Sequence, residues 1–323
     1  MAEIAELDPP SATGERFEQV HAVLAACHAE TARREPYRNA ADTRAYLLHP
    51  PAGDERLQWI GLVDGVAAGV AQLSSLRGSR AGSLQIHVRP DARRRGIARS
   101  LLEAVIAHAH DAGLESLSGH HATPAGARFA ARAGFVDGRR YVRSTLALGE
   151  AHLASEPVTG YSLRRWEGAA PSELLESYAV VREAINDEPG STDDDWEPYD
   201  AARVRELEEA VARRGRQIRV TAALGAAGDV AAFTELRVGT PAGSLASIED
   251  TAVLPAHRRR GLGRWVKTDS LASLREARPD VSLVATKNAE PNAGIRDLNA
   301  ALGFEVESVS TTCVLRLRRR AGT

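Results

Sequence analysis

Apolar and polar positions along this chain follow one succession of periods, and the succession occurs twice. Residues 84–88, Leu84-Gln85-Ile86-His87-Val88, alternate with the period of two expected of a strand. Arg89-Pro90-Asp91-Ala92 breaks the alternation, and the basic run Arg93-Arg94-Arg95-Gly96-Ile97-Ala98 follows. From 100 to 109 apolar residues return at the spacing of a helix face. In the second half 247–253 alternate, Leu254-Pro255-Ala256-His257 interrupts, Arg258-Arg259-Arg260-Gly261-Leu262-Gly263 follows, and 265–277 predict a helix. The basic runs begin 165 residues apart, at Arg93 and Arg258.

A second matched pair lies downstream. Helical runs at 127–133 and 294–302 end in Gly134-Phe135 and Gly303-Phe304, and β-prone segments follow at 140–148 and 311–317. Glycine suits the residue after a helix, and the phenylalanine then re-enters the core. Upstream, 16–31 and 172–184 predict amphipathic helices. Residues 59–63 and 66–73 predict a hairpin turned by Asp64-Gly65, with 218–224 and 230–238 as its counterpart. Two motifs in one order at near-equal offsets imply duplication. Glu, Ser, Pro and Gly interrupt the pattern around 149–159. The expected organisation is therefore a domain at 1–150, a linker at 151–158 and a domain at 159–323. Helices mixed with a mostly antiparallel sheet place each domain in the α+β class, α/β in looser usage.

Length agrees with that division, since 323 residues suit two domains of about 150. A formal net charge of -2 argues against a general nucleic-acid binder, so the arginine clusters point to a local anion. Cys27 and Cys313 show no metal-ligand spacing and read as free thiols of a reducing compartment. His108-x-His110 and His120-His121 lack a third ligand in register, so no metal is expected. Residues 1–10 carry acids rather than a signal-peptide pattern, and no apolar run approaches the roughly 20 residues of a membrane span. A cytoplasmic protein with no membrane partner is expected.

A glycine turn directly before a helix presents unpaired backbone N–H groups at the positive end of that helix. Small residues admit a bulky anion, and arginines can add contacts to phosphate oxygens. The ligand group read from the loops is a phosphate or pyrophosphate. Neither the dinucleotide pattern G-x-G-x-x-G nor the triphosphatase pattern G-x-x-x-x-G-K-[ST] occurs.

On these residues the chain resembles the Gcn5-related N-acetyltransferases. Their coenzyme A loop, [Q/R]-x-x-G-x-[G/A], is matched by Arg93-x-x-Gly96-x-Ala98 and Arg258-x-x-Gly261-x-Gly263, and Val88-Arg89-Pro90 and Val253-Leu254-Pro255 match its V-x-P lead. The resemblance covers the whole chain as two units and implies a splayed sheet in each. It implies that acetyl-CoA or another acyl-CoA lies along Ile86, His87 and Val88 in one half and Thr251, Ala252 and Val253 in the other. The pyrophosphate would sit on Arg93, Arg94, Arg95, Gly96, Ile97, Ala98 and Arg99, and on Arg258, Arg259, Arg260, Gly261, Leu262, Gly263 and Arg264.

The halves are not equally equipped. The resemblance gives Asn292 the role of binding the pantetheine amides, with Asn288 in the same polar cluster. Asn299 stands where the family often has a tyrosine, and an amide cannot protonate a leaving thiolate as a phenol can. The first half has Thr123 and Ala130 at the positions of Asn292 and Asn299. For the base that deprotonates an acceptor ammonium, Glu249 and Asp250 are equal candidates and Glu235 a weaker one. Strict alternation puts Glu249 on the face of Thr251 and Asp250 on the face of Ala252. The acidic stretch 186–200, with Asp187, Glu188, Asp193, Asp194, Asp195, Glu197, Trp196 and Tyr199, is either a solvated loop or an attractor of a cationic amine.

The expected activity is acyl-CoA-dependent N-acylation of a small-molecule amine, with catalysis in the second half and a first half that is mainly structural. The expected state is a monomer or homodimer. The competing reading is a non-catalytic acyl-CoA-binding protein.

Overall fold

The computed structural model describes residues 3–35, 37, 39–48, 54–154, 156–187, 199–213, 215–239 and 245–317. Its contacts divide the chain into two compact units, Met1–Arg140 with Ser308–Thr323, and Tyr141–Glu307.

The first unit begins with β1 (Glu3–Leu7), α1 (Gly14–Thr31), α2 (Ala40–Leu48), β2 (Asp54–Val63), β3 (Val66–Leu76) and β4 (Ala81–Val88). It continues through α3 (Ile97–Asp111), β5 (Ser116–His121), α4 (Pro124–Arg132) and the start of β6 (Val136–Ala147). The second unit holds the rest of β6, β7 (Ser162–Glu167), α5 (Leu175–Glu183), α6 (Ala201–Arg213), β8 (Arg216–Leu224) and β9 (Val230–Gly239). It ends with β10 (Leu245–Val253), α7 (Leu262–Ala277), β11 (Leu283–Ala289), α8 (Ala293–Ala301) and the start of β12 (Glu305–Arg316). The mixed sheets with helices confirm the α+β class.

Strand order in the first unit is β1-β2-β3-β4-β5-β12, and in the second β6-β11-β10-β9-β8-β7. The pairs β4–β5 and β10–β11 are parallel, and the neighbouring pairs are antiparallel. This differs from the expected boundaries 1–150 and 159–323. In the first unit β5 is closed by β12, from Thr311 opposite His121 to Arg316 opposite Ser116. In the second unit β11 is closed by β6, from Leu283 opposite Ala147 to Ala289 opposite Tyr141. The terminal strands are exchanged between the two copies of the plan. Alternation identifies a strand but not its neighbour, and two similar sheets can accept either terminal strand.

Each sheet is covered on both faces. In the first unit α1 packs Phe17, Val20 and Val23 against Ile60 and Val70, and α3 packs Leu101 and Val105 with Leu84 and Leu117. In the second unit Tyr178 and Val204, from α5 and α6, meet Phe233 and Val220, while Leu271 and Leu274 of α7 meet Leu236 and Ile248. Two-sided cover explains why Val230 to Val238 is buried at nearly every position, Thr234 and Glu235 included. Asp64 (φ 53°) and Gly65 (φ 77°) form the expected hairpin turn, whose two central residues both need left-handed backbone. Among the described residues no helix is long and apolar enough to cross a membrane.

Candidate active site

In both units the two parallel strands part company before they end. β4 pairs with β5 only from Ala81 to Ser83, and β10 pairs with β11 only from Leu245 to Ile248. Beyond those points β4 continues on β3 to Val88, and β10 continues on β9 to Val253. The edges holding Ile86, His87 and Val88, and Thr251, Ala252 and Val253, therefore line a gap in each sheet. His87 is kept neutral there, its pKa pushed down to about 4 by burial and by His120.

The loop after each gap has one backbone design. Arg94 (φ 66°) and Gly96 (φ 83°) are left-handed in the first unit, as are Arg259 (φ 64°) and Gly261 (φ 88°) in the second. Each glycine is the N-cap of the following helix, which frees the N–H groups of the first helical turn. The leading arginine, however, is tied back to the preceding strand. Arg93 Nε donates to the Val88 carbonyl at 3.2 Å and its guanidinium pairs with Glu30. Arg258 Nε donates to the Val253 carbonyl at 3.0 Å and pairs with Asp187 at 2.5 Å. These two residues brace the strand end. The exposed positions are Arg94, Arg95, Gly96, Arg99, Arg258, Arg259, Arg260, Gly261 and Arg264, while Ile97 and Leu262 anchor the helix in the core. Beside the first unit's loop lies an open cavity of about 510 Å³ whose lining includes Arg33, Arg93, Arg128 and Thr123.

The second unit concentrates charge beside its gap. Arg182 on α5 is 4% exposed and donates to Glu235 Oε2 at 2.5 Å and to Asp250 Oδ2 at 2.9 Å. Arg237 pairs with Glu235 at 2.9 Å and with Glu249 at 3.6 Å, and Ser247 Oγ donates to Glu249. Burial works against ionisation of Glu235, but Arg182 and Arg237 more than offset it and hold the carboxyl below its ordinary range. Asp250 differs. Burial, with Glu235 and Glu249 adding and Arg182 opposing, pushes its pKa up to about 6. Its side chain keeps 23% of its surface, against 3% for Glu235.

Alternation along β10 is broken here. Ile248 pairs with Leu236 and Asp250 with Glu235, so Glu249 is the extra residue of a β-bulge. The expectation that Glu249 and Asp250 face opposite sides is thereby corrected: both join the one ionic network. Thr251 bonds Thr234 across the strands at 2.8 Å, and Ala252 lies in the core with Tyr178.

The corresponding floor of the first unit is neutral. Gln72 and Gln85 stand opposite each other in the β3–β4 ladder as Glu235 and Asp250 do between β9 and β10. Gln72 bonds Tyr46 and Ser74.

Thr123 and Asn292 cap α4 and α8, Thr123 Oγ1 accepting from Gly126 N at 3.1 Å and Asn292 Oδ1 from Ile295 N at 3.4 Å. Asn299 is 3% exposed and bonds Asn288 Oδ1 at 2.8 Å through Nδ2. Its Oδ1 accepts from Lys267 Nζ at 2.5 Å. Lys267 is 1% exposed, and burial pushes its pKa down to about 7. Lys267 and Arg182 were not identified from sequence. A charged residue at an apolar helix position was the available signal for both. Residues 188–198 of the acidic stretch lie outside the described residues, as do Glu188, Asp193, Asp194, Asp195, Trp196 and Glu197 within it. Tyr199 stacks on Arg182, 5.1 Å from its ring centre. Among the described residues no three metal-ligating side chains cluster, and His121 bonds Asp137 at 2.9 Å.

The sequence pattern of the acetyltransferase (GNAT) family matches residues 17–135 and, a second time, residues 178–304. The chain belongs to this family. It is a tandem GNAT acetyltransferase. Its fold is similar to a tandem GNAT protein from the clavulanic acid biosynthesis pathway, solved without acetyl-CoA, at 25% identity and a TM-score of 0.80 over 98% of this chain and 99% of that one. It is also similar to a GCN5-related N-acetyltransferase from Sphaerobacter thermophilus, at 16% identity and a TM-score of 0.69 over 98% and 96%. A third structure of similar fold comes from Pyrococcus horikoshii, with 12% identity and a TM-score of 0.57 over 98% and 90%. No curated protein matches the sequence.

In this acetyltransferase Arg182 is the buried counter-ion of two carboxylates, the buried Glu235 and the partly exposed Asp250. Removing one partner of a buried ion pair costs about 3–5 kcal/mol. Arg182→Met is expected to lower unfolding free energy in that range, measured by denaturant titration at pH 7.

Proposed function

We propose that this chain transfers the acyl group of acetyl-CoA to the amine of a small molecule, that the second unit carries the transfer, and that Asp250 is the base. The observation that carries the reading is the partly exposed carboxyl of Asp250 beside the β10–β11 gap, with its pKa raised to about 6. Acyl-CoA, when bound, supplies the activated thioester. The chain's own part begins at the loop, where the N–H groups before α7 and the exposed Arg259, Arg260 and Arg264 suit a pyrophosphate. The unpaired edge of β10 suits the extended arm, and donors fixed along it can polarise the thioester carbonyl.

An amine attacks only after losing a proton, and a carboxylate of pKa near 6 is ionised at pH 7 yet more basic than an ordinary aspartate. Glu235 and Arg237 hold Arg182 and Glu249 in place around it. The excess of carboxylates over guanidiniums there favours a cationic acceptor. The tandem protein of the clavulanic acid pathway supports a small-molecule acceptor by its likeness alone.

The first unit keeps a loop of the same form and loses the base, because Gln85 in place of Asp250 cannot take a proton. It is assigned a structural role with an acyl-CoA site retained. The test is incubation of the full chain with acetyl-CoA and a panel of amines while free thiol is followed. The expected result is amine-dependent thiol release whose kcat/KM rises with pH through about 6, since only ionised Asp250 accepts the proton. A flat profile from pH 5 to 7 removes Asp250 from the role.

A further inference from the structure

Lys267 is an ammonium set into an apolar helix face, and nothing in the fold requires it there. It lies on the buried side of α7 between Val266 and Thr268, 1% exposed. No carboxylate among the described residues pairs with it; its partner is the Asn299 amide at 2.5 Å, with the Phe304 ring 5.7 Å away. Burying an ammonium without a counter-ion is costly. The duplicated plan shows what the same contact needs structurally. Counting along the two helices from their matched glycines, Gly96 and Gly261, the position of Lys267 is Leu102 in the first unit. Counting back from Gly134 and Gly303, the position of Asn299 is Ala130. Leu102 and Ala130 are buried too, 6% and 5% exposed. At these two buried positions one unit carries Leu and Ala, the other the bonded Lys and Asn. The polar pair is therefore retained for something besides packing.

The chemistry of the pair imposes a direction. As an ammonium, the form present below a pKa of about 7, Lys267 only donates, so the Asn299 atom that faces it is its oxygen. The Asn299 nitrogen is then the donor to Asn288, and the Asn288 atom that receives it is again oxygen, at 2.8 Å. Nδ2 of Asn288 is left as a donor that bonds no described residue. Asn288 stands on β11 two residues past Thr286, the last residue of β11 paired with β10. That is the mouth of the gap.

We propose that Lys267 is a positioning residue of the transfer site: its ammonium locks the Asn299 and Asn288 amides in one orientation, so that Asn288 offers an N–H donor to an acceptor atom of the acyl-CoA arm. A neutral residue at 267 frees Asn299 to flip, and the donor at the gap is then no longer fixed. The role rests on the proposal that the second unit carries the transfer.

The test uses the full chain with Lys267→Leu/Asn299→Ala, which installs the pair the first unit already folds with. Its thermal midpoint is expected to equal or exceed that of the unaltered chain. With acetyl-CoA and a responsive amine, kcat is expected to fall by about tenfold or more while KM for the amine stays within about twofold, because a misplaced arm holds the thioester out of line for attack. A second readout does not depend on turnover. In the chain carrying 13Cε-labelled lysine, the resonance assigned to Lys267 by its loss in Lys267→Leu is expected to move on saturation with coenzyme A. Unchanged kcat in the folded double variant, or a resonance unmoved by coenzyme A, overturns the proposal. If Asp250→Asn has lost turnover in the same assay, the reading of the second unit stands. If Asp250→Asn is fully active, that reading fails and the resonance alone decides Lys267.

Discussion

Asp250→Asn is expected to lower kcat by about 100-fold or more, the usual contribution of a positioned general base. KM for acetyl-CoA should change little, because the loop and the β10 edge are untouched. The amide is close in shape to the carboxylate and can still accept from Arg182 through its oxygen, so folding is expected to survive. What is lost is the proton acceptor. The acid limb of kcat/KM near pH 6 should disappear with it, since that limb reports the Asp250 carboxyl. Glu249→Gln serves as the control. Glu249 is the bulged residue tied to Ser247 and Arg237, and its loss is expected to cost less than about tenfold, below the roughly 100-fold at which the effect of a positioned base begins. The two variants are compared by initial rates of thiol release across pH 5 to 8.

Much of this was legible in the sequence, and the reasons differ from element to element. The helix after each basic loop, the hairpin at Asp64-Gly65 and both Gly-Phe caps were predicted because each has a strong local signature: a period, a turn dipeptide or a cap. Ser116–His121 was not, because Ser118, Gly119, His120 and His121 give a short strand no apolar alternation. α6 (Ala201–Arg213) was missed although its Val204, Glu208 and Val211 share a buried face, because charged residues dominate its composition. The exchange of β6 and β12 was not readable, since a strand's sequence records which faces are buried and not which edge it joins. The pairing of Asp250 with Arg182 was hidden for another reason. It depends on a bulge at Glu249, and one extra residue reverses the face of everything after it. For the loops, the glycines were read correctly as cap positions, and the arginines were treated alike. The structure separates them: Arg93 and Arg258 hold strand carbonyls, while their neighbours face outward.

Gly261→Glu is expected to abolish most transfer. Gly261 has φ 88°, a backbone conformation that a side chain with a Cβ adopts only under strain. Strain of this kind costs about 1–3 kcal/mol locally. Glutamate also places a negative charge at the helix end that is meant to receive a pyrophosphate. Both effects act on acyl-CoA binding, so KM for acetyl-CoA should rise by about 100-fold, equivalent to about 2.7 kcal/mol. Gly96 has the same geometry, φ 83°, at the first unit's helix. Gly96→Glu should remove acyl-CoA from that unit equally well.

Turnover per folded molecule, measured side by side for Gly96→Glu and Gly261→Glu, therefore tests most directly which unit carries the reaction. The expected result is loss in Gly261→Glu and a rate within about twofold of the unaltered chain in Gly96→Glu, since the unit with Gln85 contributes no base. Equal losses in the two variants, or loss confined to Gly96→Glu, would contradict it.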